Sequence, residues 1–316
     1  KQTKRIHALL RYERSGIGKY DFALNFSQFL LCANKSESGL ACQQCPSCHW
    51  FQDESHPDFR LIAPEQNENP DDEPVSGKKT KKKTQISIAQ IRELSDFLSL
   101  SSHQNDGLRI VLIHPAEALN AASANALLKM LEEPMPDVLF ILITHQLQRL
   151  LPTIISRCQK VKMPSPTEAE ALAWLNMHEV SQAETQLAYM EGSPIKVFDE
   201  QSNYESLKQI WSQLSLGSRL EPQSAATILT AGSVEIGVTA LQKWIFDLTA
   251  VKFCNQARYH LNHHKTLQGL AEKVHLNRLF EFQKKTEELR KLVTHPLNHE
   301  LQMESLLLDY TKLFKH

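Results

Sequence analysis

At 316 residues the chain is long enough for two or three domains with ample core, and its 35 Lys and Arg against 36 Asp and Glu leave a formal net charge of −1. That balance excludes a global electrostatic drive toward nucleic acid or membrane, so any DNA contact has to come from a local patch or from partners. No uninterrupted apolar run approaches the roughly 18 residues that span a bilayer, Lys1-Gln2-Thr3-Lys4-Arg5 leads into only a short apolar segment, and six cysteines without an export signal predict a reduced, cytoplasmic protein whose clustered thiols bind metal rather than pair.

Residues 6–12 read as a first strand. The next stretch, Glu13-Arg14-Ser15-Gly16-Ile17-Gly18-Lys19-Tyr20, fits the phosphate-binding loop G-x-x-x-x-G-K-[ST] only in part. Gly18 and Lys19 match, but Glu13 stands at the first glycine and Tyr20 at the magnesium-binding hydroxyl. A carboxylate repels phosphates there, and a phenol is a poor substitute for a small hydroxyl. Gly16, Gly18 and Lys19 are therefore candidate phosphate contacts of a degenerate loop; the alternative is an ordinary glycine turn capping a helix.

A helix from Lys19 to about Ala33 follows, with Phe22, Phe26, Phe29 and Leu30 expected to pack on the sheet. Cys32, Cys42, Cys45 and Cys48 form a C-x9-C-x2-C-x2-C array. Four thiolates complete a tetrahedral shell with no open position, which predicts one structural zinc ion. Buried free cysteines are the alternative, and His49, next to Cys48, has poor reach for the same ion.

His56-Pro57-Asp58 introduces a second strand over 59–63. Residues 65–84 are charged and of low complexity: 65–73 are acidic and Pro/Asn-rich, and Lys78, Lys79, Lys81, Lys82 and Lys83 form a basic run. Neither half has apolar residues to bury, so a solvated loop is expected. Ser87 can cap a helix over 88–100 whose inward face is Ile88, Ile91, Leu94 and Leu98. Gly107 turns the chain into an apolar strand over 108–113.

A helix comes next, with Leu119, Ala122, Ala126, Met130 and Glu133 at one helical spacing and Leu127 and Leu131 at another; Pro134 and Pro136 end it. Residues 138–143 read as a strand buried on both faces. Strand, helix and strand make a βαβ unit, which gathers its chemistry at the strands' carboxyl ends. His114, Thr144 and His145 fall there, and Arg157 follows.

Pro164-Ser165-Pro166 is a linker, and Thr167-Glu168-Ala169-Glu170 begins a capped helix. Ala171, Leu172, Leu175, Leu187, Tyr189 and Met190 supply a small helical core before the break at Gly192-Ser193-Pro194. From about Tyr204 only helical periodicity remains, in Val238-Leu241-Ile245-Leu248 and Leu301-Ser305-Leu308, so a bundle is expected, with Trp244 and Cys254 in its core. The fold class is α/β plus all-α, divided at 1–163, 164–203 and 204–316.

Asn125-Ala126-Leu127-Leu128-Lys129 with Leu131-Glu132-Glu133-Pro134, spaced as here from Ser156-Arg157-Cys158, resembles the clamp-loader branch of the AAA+ proteins. Two motifs and the cysteine cluster agree in order and spacing; the resemblance covers roughly the first two hundred residues, and the rest only in helical character. It implies an AAA+ parallel-sheet domain with an inserted zinc module, a small helical lid and a C-terminal helical collar. It also implies a place in a hetero-oligomeric ring with gamma/tau-type and delta-type subunits, part of a DNA polymerase holoenzyme, which opens the sliding clamp and loads it onto primed DNA. Arg157 would be an arginine finger acting in trans on the neighbouring subunit's ATP.

Active loaders end the strand at 108–113 with an Asp-Glu pair for magnesium and the attacking water. This chain has His114-Pro115, and Glu117, two residues into the turn, is expected to point elsewhere. Two degraded motifs, both at magnesium, imply no hydrolysis and no required nucleotide. Two other readings stand beside this one: an ATP-hydrolysing subunit of gamma/tau type, and a zinc-containing nucleic-acid-binding module, which the neutral charge weakens.

Overall fold

The computed structural model describes residues 6–37, 39–65, 84–99, 107–293 and 298–314; residues 66–83, with the lysine run, lie outside them. Among the described residues five strands make one parallel sheet: β1 (Ala8–Tyr12), β2 (Phe59–Ile62), β3 (Arg109–Ile113), β4 (Val138–Thr144) and β5 (Gln159–Lys162). Their spatial order is β2-β3-β4-β1-β5. In register, Ala8 faces Phe140, Arg109 faces Val138, and Phe59 faces Ile110.

Every residue of β4 is buried because helices cover both faces of the sheet. Val138, Phe140 and Leu142 enter one core, while Leu139, Ile141 and Ile143 enter the other, as the two-residue period of a strand requires. The sequence reading contains no β5. Its residues are Gln, Lys, Val and Lys, and only Val161 is even partly buried. A short lysine-bearing strand is what a sheet edge tolerates, since the charges discourage further pairing.

Helix α1 (Lys19–Leu31) packs only in part as expected. Its buried face carries Ala23, Ser27 and Leu31, whereas Phe22 is 40% exposed. Small side chains bring the helix close to the sheet, and the Ser27 hydroxyl is satisfied by donating to the Ala23 carbonyl at 2.7 Å. Phe26 and Leu30 are partly buried against the same core, as expected, while Phe22 stacks on Phe26 from outside, with the Arg11 guanidinium 4.2 Å from its ring centre. Helix α2 (Pro46–Gln52) belongs to the cysteine module, and α3 (Ile88–Ser99) buries Ile91, Leu94, Phe97 and Leu98.

Helix α4 (Ala121–Glu132) buries Ser123, Ala124, Leu127 and Leu131. Of the two stripes read from its sequence, Leu127 and Leu131 face the core, while Ala122, Ala126, Met130 and Glu133 line an open groove against α3. Asn120 caps the helix, its side chain accepting from the Ser123 amide at 2.9 Å. Helix α5 (Pro152–Arg157) then leads into β5.

The chain divides into two compact units, Lys1–Ser165 and Pro166–His316. The second holds nine described helices: α6 (Glu168–Met177), α7 (Ala183–Tyr189), α8 (Pro194–Asp199), α9 (Gln201–Leu214), α10 (Pro222–Thr230), α11 (Val234–Cys254), α12 (His264–Ala271), α13 (Leu276–Leu292) and α14 (His299–Lys312). Thr167 and Glu170 form the expected capping box. One apolar core runs from Ala171 to Phe314. At its centre the Trp244 indole donates to the Tyr310 hydroxyl at 2.9 Å, and Tyr310 donates to the Leu214 carbonyl at 2.7 Å, tying α11, α14 and α9 together.

Val238, Leu241, Ile245 and Leu248 are buried as expected. Cys254, expected in the core, is exposed, because it ends α11 off that stripe. The stripe Leu301-Ser305-Leu308 also faces outward, with Leu301 63% and Leu308 46% exposed; Met303, Leu306, Leu307 and Tyr310 take the inner face. Among the described residues no single helix is long and apolar enough to cross a membrane.

Candidate functional site

The turn from β1 into α1 places Gly16 and Gly18 at φ 77° and 84°, in the left-handed region that glycine enters without strain. Lys19, 3% exposed, does not project from this turn. Its Nζ donates back to the carbonyls of Glu13, at 2.7 Å, and Arg14. Burial lowers its pKa to about 8, against the opposing pull of Glu117 and Glu13. The lysine therefore closes its own loop.

Beside it, the Tyr20 ring stacks on His114 with 4.8 Å between centroids, and His114 meets His145 edge to face at 5.3 Å. The start of α1 and the residues that follow β3 and β4 thus converge on an aromatic stack. Burial pushes His114 down to about 4, helped by His145, and it lowers His145 too, so both rings are neutral at pH 7. This donor set does not fit a hard, oxygen-seeking ion.

Glu117 corrects the sequence reading. It turns back toward the site: its Oε1 accepts from the His145 backbone amide at 3.0 Å, and its charge favours protonated Lys19. The short 3-10 turn at 116–118 aims the side chain there, which residue counting along the chain does not reveal. Thr144, also at a strand end, is buried, and its hydroxyl accepts from the Gln146 amide at 3.1 Å.

The four cysteines do come together. One sulfur from each of Cys32, Cys42, Cys45 and Cys48 lies within 4.8 Å of all the others. Cys32 to Cys45 and Cys42 to Cys48 are each 3.9 Å apart. A tetrahedron with Zn–S bonds of about 2.3 Å has edges of about 3.8 Å, so the spacing fits a metal ion held by four sulfurs. The module is riveted to the sheet unit: the Ser47 hydroxyl donates to the Leu31 carbonyl at 2.7 Å and lies 2.9 Å from His56 Nε2. His56 Nδ1 accepts from the Asp58 amide at 3.0 Å, which assigns the proton to Nε2.

Arg157 ends α5. Its Nη1 donates to the Thr153 carbonyl at 2.9 Å, and its Nη2 meets Glu132 Oε1 at 2.5 Å. Cys158, next in sequence, is buried in the sheet unit's core. The structure thus gathers Lys19, Tyr20, His114, Glu117 and His145 in one place and the cysteines in another, and it joins Arg157 to Glu132. Sequence reasoning named Glu132 only as part of a motif; its partnership with Arg157 bridges two helices and leaves no local signature.

Residues 1–167 match the family model described as DNA polymerase III, delta subunit. The chain is 34% identical over 277 residues to the DNA polymerase III subunit delta' of Pseudomonas aeruginosa, covering 86% of this chain and 77% of that protein. It is 32% identical over 216 residues to the same subunit of Haemophilus influenzae, spanning 65% and 60% of the two chains. With that of Escherichia coli K12 it shares 31% over 191 residues, 60% of this chain and 52% of the relative. Among solved structures, a DNA polymerase III gamma subunit-related protein of Thermotoga maritima overlaps 98% of this chain and 95% of its own at 16% identity, with a TM-score of 0.45.

Proposed function

The chain belongs to the DNA polymerase III delta' family, and from that premise we propose that it is a non-hydrolysing, stator-like subunit of a clamp loader. It would sit in a cytoplasmic ring with gamma/tau-type and delta-type subunits that opens the sliding clamp and loads it onto primed DNA. The observation that carries this reading is the Tyr20–His114 stack beside the inward Lys19. The lysine that should meet phosphates is spent on loop carbonyls, and an aromatic pair fills the place of magnesium's ligands. Both features argue against an ATPase of gamma/tau type.

Arg157 is then the residue lent to the neighbour. Its side chain, one-third exposed at the end of α5, supplies planar donors suited to charge developing on a transferred phosphoryl group. Cys32, Cys42, Cys45 and Cys48 hold one structural zinc ion, and residues 164–203 and 204–316 serve as lid and collar. The outward leucines of α14 suit a face that meets other bundles.

The test is steady-state ATP hydrolysis by the reconstituted loader with clamp and primed DNA, wild type against Arg157→Ala, with ATP titrated into the isolated chain. The expected result is no ATP binding or hydrolysis by the chain alone, and a lower turnover of the intact Arg157→Ala assembly. Hydrolysis by the isolated chain, or unchanged turnover in the variant assembly, overturns the reading.

A further inference from the structure

The ion pair between Arg157 and Glu132 stands where helix electrostatics would not place it. Glu132 is the last residue of α4, followed by Glu133, at a helix end that already carries partial negative charge and disfavours carboxylates. Arg157, at the end of α5, is well placed in the same field. The two side chains are 49% and 33% exposed, and an ion pair so open to water contributes little to stability. Stability is therefore a poor reason for Glu132.

The geometry suggests a different one. Glu132 takes Arg157 Nη2 at 2.5 Å, while the Thr153 carbonyl takes Nη1 at 2.9 Å and Ser156 Oγ lies 3.5 Å from the same nitrogen. Restraints from two elements fix both the position and the plane of the guanidinium. The end of α4 is itself rigid: Leu127 and Leu131 are buried, and His7 Nε2 lies 3.2 Å from the Leu131 carbonyl. A long arginine left free must surrender its rotamer freedom when it engages a phosphoryl group, whereas one already held does not.

We propose that Glu132 is a positioning residue for Arg157, holding the guanidinium in advance in the plane and direction from which it engages the nucleotide of the neighbouring subunit. This rests on the reading of Arg157 as a residue acting in trans. Glu132 itself touches no substrate. It acts through the arginine, so its effect has to vanish when the arginine is absent.

The experiment is a double-mutant cycle in the reconstituted loader with clamp and primed DNA, using Glu132→Gln, Arg157→Ala and the pair, with assembly confirmed by co-elution. Glu132→Gln is expected to lower kcat for ATP about 3- to 10-fold with KM for ATP within about twofold, and to add nothing in the Arg157→Ala background. A Glu132→Gln loader with wild-type or higher kcat, while Arg157→Ala lowers it, overturns the positioning role and leaves the arginine reading intact. A Glu132→Gln loss that persists in the Arg157→Ala background assigns the effect to the fold and overturns the proposal. Unchanged turnover in Arg157→Ala alone overturns the arginine reading and this proposal with it.

Discussion

The Tyr20 ring lies on the His114 ring, 4.8 Å between centroids and 26° between planes, although one residue is in the first turn of α1 and the other follows β3. Introducing the phosphate-loop motif's hydroxyl with Tyr20→Ser removes that stacking and leaves a gap under His114, so a loss of about 1–2 kcal/mol in unfolding free energy is expected from urea melts. MgATP binding is not expected to return, because Lys19 still points inward and Glu13 still occupies the first glycine's place. Calorimetric titration checks this; tight MgATP binding by Tyr20→Ser alone would make the ring the whole obstruction.

His114 also gives the fold a pH dependence. Burial holds its pKa at about 4, whereas an unfolded histidine titrates near 6.5. Between those values the unfolded chain binds more protons, so stability is fully present above about pH 6.5 and falls as the pH drops toward about 4. His145 acts in the same direction. With the ring only partly buried, the loss from His114 is about 1–3 kcal/mol. His114→Phe keeps a ring against Tyr20 but cannot titrate, so urea midpoints taken at pH 7, 6 and 5 should give a flatter slope than wild type.

What could be read from the sequence follows from how locally each feature is encoded. All seven residues of β4 are buried, and consecutive apolar side chains announce that directly. The cysteine site is as legible, since its ligands lie within seventeen residues and their spacing is the geometry. The strand β5 is invisible because an exposed edge needs no apolar pattern. Phe22, Leu301 and Leu308 mislead for the converse reason: each has helical spacing and high hydrophobicity, yet Ala23, Ser27, Met303 and Leu307 make the closer contacts. The Tyr20–His114 stack, the inward Glu117 and the Glu132–Arg157 pair join residues from different elements, so only the fold discloses them.

The cysteine module is expected to carry one zinc per chain, measurable by metal analysis of protein purified without chelator. Cys42→Ser removes one of four ligands and should lower both the metal content and the Tm, by several degrees, since a structural zinc contributes directly to folding. The loss should reach beyond the module, because Ser47 ties α2 to the end of α1 and His56 links it to the start of β2. Hydrogen exchange is expected to rise at Leu31 and Asp58. Full stability in a zinc-free protein would remove the metal from the structural account.

In the helical unit, Tyr310→Phe deletes one oxygen and strands two buried groups, the Trp244 indole N–H and the Leu214 carbonyl. Each unpaired group costs about 1–3 kcal/mol, so a drop of about 2–4 kcal/mol in unfolding free energy is expected with little change in ring packing. Trp244→Phe in the same background should cost less than it does alone, since the indole donor has already lost its acceptor. Additive losses in the double variant would refute a shared hydrogen-bond chain.

Asp247 is the most heavily bonded carboxylate of that unit. It accepts the backbone amides of Arg258, Tyr259 and His260 at 2.8, 3.0 and 2.7 Å, and His260 Nδ1 at 2.9 Å. Burial alone would raise its pKa, but the His260 ring and the surrounding amides outweigh burial and hold it below the usual carboxylate range. Burial meanwhile keeps His260 neutral, so the pair is a hydrogen-bonded anion and a neutral imidazole. Asp247→Asn keeps one acceptor and turns an NH2 group toward N–H donors, leaving at least one buried amide unpaired. The expected loss is about 2–4 kcal/mol. Because the folded carboxylate titrates below the unfolded one, the wild-type contribution is present above about pH 4 and fades in stronger acid. The stability gap between wild type and Asp247→Asn should therefore narrow below about pH 4, and a gap that stays constant with pH would mean that packing around residue 247, and not its charge, sets the cost.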